Sequence, residues 1–109
     1  SEHSFSSLKY TICRPGVGIL TECVKYEIVP ITLDFNDNNE MKHNSNIISK
    51  LKIGFSLIVS NKINENVMKI LKFINDSKSY ESLFKNIKNQ STGGHFQAAK
   101  NILSRIWKI

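Results

Sequence analysis

The chain has 109 residues and a formal net charge of +6, which is the usual size of one folded domain and enough chain to bury a core without disulfide staples. Hydrophobic residues make up 40% and charged residues 22%, which excludes a fully disordered chain and a coiled coil. The uncharged stretch at residues 53–61 is far shorter than the roughly 20 residues that cross a bilayer as a helix. The first residues show no basic start followed by an apolar run, so we expect no signal peptide and an intracellular, cytoplasmic location.

The positive charge is concentrated in the second half of the chain. Residues 1–49 carry −2, from four basic and six acidic residues, and residues 50–109 carry +8, from eleven basic and three acidic residues. A basic half-domain attracts polyanions. Asn, Ile and Lys together account for 40 of the 109 residues, a bias typical of AT-rich genomes, viral ones included. This bias raises the lysine count by itself, so charge alone is weak support for nucleic-acid binding.

Strand-like patterns dominate residues 1–60. Residues 8–13 alternate apolar and polar side chains and then reach a Pro-Gly turn signal. Residues 19–35 are rich in β-branched and aromatic residues, and a change of parity beside Pro30 predicts a bulge or two strands. Residues 36–46 are polar throughout and predict a mobile loop. Residues 50–60 alternate again and predict a strand whose polar face carries Lys50 and Lys52.

Helical spacing replaces this alternation in residues 61–109. Apolar residues recur every three or four positions in residues 63–74, 80–87 and 96–106, so we predict three helices. Strands followed by helices are typical of the α+β class. We therefore expect one domain, residues 1–109, in which three helices pack on a three- to four-stranded antiparallel sheet from the N-terminal half.

The segment Ser91–Phe96 is the most suggestive motif for ligand binding. Gly93 and Gly94 allow close approach of a ligand to the backbone, and a helix that follows points free N–H groups at an anion. The simpler interpretation is a glycine that ends one helix before the next begins. Cys13 and Cys23 match no zinc pattern, and the three histidines are far apart in sequence. We therefore expect free thiols, no metal and no cofactor.

The lysines off the apolar stripes form the best candidate surface. If the helices lie on the same side, these side chains form a patch that neutralises phosphates. Together with the glycine segment they make up the predicted anion-binding positions: Lys50, Lys52, Lys69, Lys72, Lys85, Lys88, Gly93, Gly94, His95, Lys100, Arg105 and Lys108.

Three functional hypotheses stay open at this point. The first is a non-enzymatic interaction protein whose basic C-terminal half binds nucleic acid or a nucleoprotein, RNA included, with no small-molecule substrate. The second is a self-associating, viral matrix-like or peripheral membrane protein that forms homo-oligomers on an anionic surface. The third is a small ribonuclease in which His95 acts as the general acid or base, although a second acid–base group is not evident.

Overall fold

A computed structural model describes residues 9–92, with side chains as far as Gln90. The elements follow in the order β1 (Tyr10–Cys13), α1 (Val17–Tyr26), β2 (Val29–Asp34), α2 (Asn39–Leu51), β3 (Phe55–Ile58), α3 (Ile63–Ile74) and α4 (Ser77–Thr92). The strands form one sheet in the order β1-β2-β3, and both strand pairs are parallel. No helix within this part of the chain is long and apolar enough to span a bilayer.

The parallel sheet is covered on both faces. In the β2–β3 register, Ile31 pairs with Phe55 and Thr32 with Ser56, so successive residues point to opposite faces. Thr32 lies on the face that hydrogen-bonds to Ser45 of α2. Phe55 lies on the other face, where its ring stacks 4.6 Å from the ring of Phe73 in α3. Helices on both sides are what a parallel sheet requires, because its strands are connected through crossover helices.

The predicted antiparallel sheet followed by three helices is therefore wrong. The chain mixes helices with a sheet, as expected, but its sheet is parallel, and four helices lie within residues 9–92. Two of these helices, α1 and α2, connect the strands rather than following them. The predicted helices at 63–74 and 80–87 correspond to α3 and α4, and the predicted helix at 96–106 lies outside the described residues.

Helix α1 replaces the strand expected after residue 19. Leu20, Cys23 and Val24 are buried at helical spacing, three and four residues apart. The alternation of Val24, Tyr26 and Ile28 had suggested a strand, but β propensity depends on context and yields to packing. The helix ends at Glu27, whose backbone is left-handed with φ 57° and whose N–H reaches the carbonyls of Cys23 and Val24.

Helix α2 replaces the predicted mobile loop and part of the predicted strand. Asn38 caps its start, because the Asn38 side chain accepts a hydrogen bond from the Met41 N–H at 3.1 Å. The helix ends at Lys52, which is left-handed with φ 56°. Lys50 therefore lies in the last turn of α2 and Lys52 at its end, and the strand face expected for this pair does not exist.

The core joins both layers of helices to the sheet. Its fully buried apolar side chains come from every layer: Leu20, Val29, Ile31, Ile48, Ile53 and Ile87. At Gly54 a Cβ atom would lie 2.7 Å from the Cγ2 of Ile48 and 2.7 Å from the carbonyl oxygen of Pro30. Only glycine fits there, because any side chain would push α2 away from the sheet.

Candidate anion-binding groove

Helix α4 begins directly after Asp76, whose carboxylate accepts a hydrogen bond from the first turn of the helix. The Asp76 carboxylate accepts hydrogen bonds from the Ser79 N–H at 3.2 Å and from the Ser79 hydroxyl at 2.7 Å. These bonds stabilise the charged form and lower the pKa of Asp76. Because a carboxylate already occupies the start of α4, this helix end does not hold an external anion.

A cleft between α3 and α4 brings two of the predicted lysines together. Its volume is about 470 Å³, within the range of small-molecule sites. Lys69 and Lys72 supply charge from α3, and Ser79 and Ser82 supply hydroxyl groups from α4. The lining residues are Gly54, Phe55, Lys69, Lys72, Phe73, Asp76, Ser79, Ser82 and Leu83.

A second, smaller cleft of about 310 Å³ lies farther along α4. It is lined by Leu51 and Lys52 at the end of α2 and by Asn86, Asn89 and Gln90 of α4. The Asn86 side-chain amide donates a hydrogen bond to the backbone carbonyl of Lys52 at 2.8 Å. This bond fastens α4 to the end of α2 and holds Lys52 beside the helix.

Both clefts lie on one side of α4. Ser79, Ser82, Asn86 and Asn89 are separated by three, four and three residues, so they form one stripe on the helix, about 15 Å long. Gly54 borders the first cleft, and Lys52, two residues earlier, borders the second. We use the name α4 groove for this surface, defined by Lys52, Gly54, Lys69, Lys72, Ser79, Ser82, Asn86 and Asn89.

The lysines of the α4 groove are not neutralised by acidic neighbours. Lys52, Lys69 and Lys72 are exposed, and none of them forms an ion pair within residues 9–90. Two carboxylates lie near these lysines: Asp76, which borders the first cleft and is engaged by Ser79, and Glu65, which lies one turn before Lys69 and borders a shallow cleft with it without forming an ion pair to it. The groove therefore keeps a positive field over a surface of uncharged hydroxyl and amide groups.

The structure thus brings together only part of the predicted site. Lys52, Lys69 and Lys72 line the α4 groove; Lys85 lies one helical turn from Ser82 and from Asn89, at its rim. Lys50 and Lys88 are exposed on α2 and α4 outside the lining. The remaining predicted positions lie outside the described residues: Gly93, Gly94, His95, Lys100, Arg105 and Lys108.

The serine and asparagine members of the groove were missed by sequence reasoning. The apolar positions of α4, such as Tyr80 and Ile87, imply a polar stripe on another side, and that stripe contains Ser82 and Asn86. The pattern predicts that these residues share a side of the helix. It does not predict that α3 and the end of α2 pack beside that side.

The thiols of the two cysteines are not suited to act as nucleophiles or metal ligands. Cys13 and Cys23 are free, and burial raises their pKa values to about 11 and about 12. Both are therefore protonated at neutral pH, and a protonated thiol is a poor nucleophile and metal ligand. Within residues 9–90 there is no group of three His, Cys, Asp or Glu side chains placed to hold a metal ion.

Comparison of the chain with protein-family models, with curated proteins and with solved structures gave no match. A functional hypothesis for this chain therefore rests on the chemistry of its own surfaces.

Proposed function

We propose that the chain is a non-enzymatic interaction protein that binds single-stranded nucleic acid along the α4 groove by phosphate neutralisation. The observation that carries this proposal is the placement of Lys52, Lys69 and Lys72, without ion pairs among the described residues, along one uncharged polar stripe of α4. Each lysine that neutralises a phosphate releases a condensed counterion, which is the main source of affinity in such complexes.

The shape of the groove favours a single strand over a duplex. Its lysines border two clefts along α4, and the apolar lining of the first cleft includes Phe55 and Leu83. An unpaired base can turn its apolar face toward such a lining while its phosphates lie near the lysines. The serine hydroxyl and asparagine amide groups can donate hydrogen bonds to any base or sugar and accept hydrogen bonds from them. We therefore expect little preference among nucleic-acid sequences.

The test compares a lysine that lines the groove with an exposed lysine that does not, Lys25, whose ammonium lies 5.1 Å from the centre of the Tyr26 ring. Lys72 lies in the last turn of α3 and Lys25 in the last turn of α1, and both are exposed. Lys72→Glu and Lys25→Glu therefore change the net charge and the helix-dipole interaction alike. We expect Lys72→Glu to weaken binding of a labelled single-stranded RNA roughly tenfold at low salt, and Lys25→Glu to have little effect.

Fluorescence anisotropy titrations provide the measurement, with anionic vesicles as competitor. Equal weakening by the two substitutions would mean that net charge, rather than the groove, governs binding. Displacement of the RNA by vesicles at a lower concentration than by unlabelled RNA would favour the membrane hypothesis instead. RNA cleavage that is abolished by His95→Ala would favour the ribonuclease hypothesis.

A further inference from the structure

Helix α3 leaves an apolar surface exposed on the side that does not contact the sheet. Phe73 anchors the helix and is only 6% exposed. Five apolar side chains of α3 are exposed by about a third to three quarters of their area: Ile63 (72%), Val67 (47%), Met68 (65%), Leu71 (46%) and Ile74 (36%). We call these five residues the α3 stripe. Exposed apolar patches rimmed by polar residues mark interaction sites.

The α3 stripe is uncharged, which limits what can cover it. Its neighbours on the helix are Asn64 and Asn75 and three charged residues, Glu65, Lys69 and Lys72, which border the same shallow clefts as Met68 and Leu71. A chain with a net charge of +6 repels its own copies over most of its surface. The five residues of the α3 stripe are themselves apolar, so they can contact a second copy while Glu65, Lys69 and Lys72 stay at the rim in solvent.

The α3 stripe is also complementary to itself. Two copies related by a two-fold axis place α3 antiparallel to its equivalent, so Ile63 of one copy meets Ile74 of the other. Val67 then lies near Leu71 of the second copy. The contacts between the two stripes are apolar, and both copies contribute the same residues, as a two-fold interface requires.

The area of the surface is sufficient for a weak dimer. From the exposed fractions, the α3 stripe offers roughly 500 Å² per copy, or about 1,000 Å² in a two-fold pair, which is the lower limit for specific interfaces. We propose that the chain forms a reversible homodimer through the α3 stripe.

Sedimentation velocity of the full chain over a range of concentrations tests this proposal. We expect the sedimentation coefficient to rise with concentration, and Leu71→Glu to raise the dimer dissociation constant roughly a hundredfold, because a two-fold axis buries two carboxylates at once. Phe35→Glu is the matched control, since Phe35 is 44% exposed and lies outside the α3 stripe. Met68→Lys serves as a second variant if circular dichroism shows that Leu71→Glu is unfolded.

A wild-type chain that is monomeric at every concentration would overturn the proposal and would indicate that another segment, such as residues 93–109, covers the α3 stripe. Equal weakening of the dimer by Leu71→Glu and by Phe35→Glu would also overturn it. RNA binding is measured separately on the same variants, so failure of the dimer and failure of the α4 groove are distinguishable.

Discussion

Helices α2 and α3 differ in an unexpected way: the more polar helix is the one whose side chains are more buried. Helix α2 is mostly polar, yet Asn44, Ser45 and Ile48 are buried. Helix α3 has the clearest apolar stripe in the described chain, yet Ile63 and Met68 are among its most exposed residues. The difference follows from topology: α2 is the crossover between two parallel strands and must lie on the sheet, whereas α3 follows the last strand.

Most of the buried polar groups of α2 have hydrogen-bond partners, and the exception is the side-chain Oδ1 of Asn44, which is buried without one. The Thr32 hydroxyl hydrogen-bonds to the Ser56 hydroxyl at 2.9 Å and lies 3.2 Å from the Ser45 hydroxyl. The Asn44 side-chain amide donates to the carbonyl of Pro15 at 2.8 Å. Buried polar groups with partners cost little, and here they join α2 to the central strand and to the loop before α1.

The largest expected difference between the two helices is in stability. Ile48 is fully buried in α2 and Ile63 is 72% exposed in α3. We expect Ile48→Ala to lower the free energy of unfolding by about 3 kcal/mol through the cavity it leaves, and Ile63→Ala by less than about 0.5 kcal/mol. Urea denaturation at a concentration where the chain is monomeric measures both, and equal losses would contradict the assignment of α2 to the core.

A smaller effect is expected from the hydroxyl groups that hold α2 to the sheet. Thr32→Val keeps the shape of the side chain but removes the hydroxyl that Ser45 and Ser56 contact. We therefore expect the free energy of unfolding to fall by about 1–2 kcal/mol. Thr11→Val on β1 is the control, because no side-chain hydrogen bond joins Thr11 to another described residue. A similar fall in the free energy of unfolding in both variants would show that the hydroxyl contacts of Thr32 do not stabilise the fold.

The last effect concerns the buried thiol of α1, and it is expressed only in alkali. Burial raises the pKa of Cys23 from 9.0 to about 12, so in alkali the unfolded chain loses this proton before the folded chain does. The free energy of unfolding should therefore fall as the pH rises above 9.0. Because burial also raises the pKa values of Cys13, Tyr10 and Tyr80, the comparison is with Cys23→Ala, which should show a shallower decline. Parallel pH profiles would contradict the burial of this thiol.

Local patterns sufficed for several of the described elements. The alternation in residues 8–13 predicts β1, part of the pattern in residues 50–60 predicts β3, and the apolar spacing of residues 63–74 predicts α3. Helices α1 and α2 were missed because β-branched residues and polar residues take their conformation from the sheet they cover. The parallel order of the strands follows only once both crossover helices are known.

The sequence likewise predicts only part of the candidate site. The spacing of Lys69 and Lys72 predicts that they share a side of α3, and they do line one cleft. Lys52 was assigned to a strand, and its place beside Asn86 depends on a contact between residues 34 positions apart. Such contacts are set by the packing of whole helices, which no local pattern encodes.

The salt dependence of RNA binding tests the α4 groove most directly. If Lys52, Lys69 and Lys72 each neutralise one phosphate of a single strand, the plot of log affinity against log salt has a slope of about −2. Lys69→Glu/Lys72→Glu should reduce the magnitude of that slope to below about 1, while Lys25→Glu leaves it unchanged. An absence of binding at low salt, or a slope that is the same in all three proteins, would contradict the account.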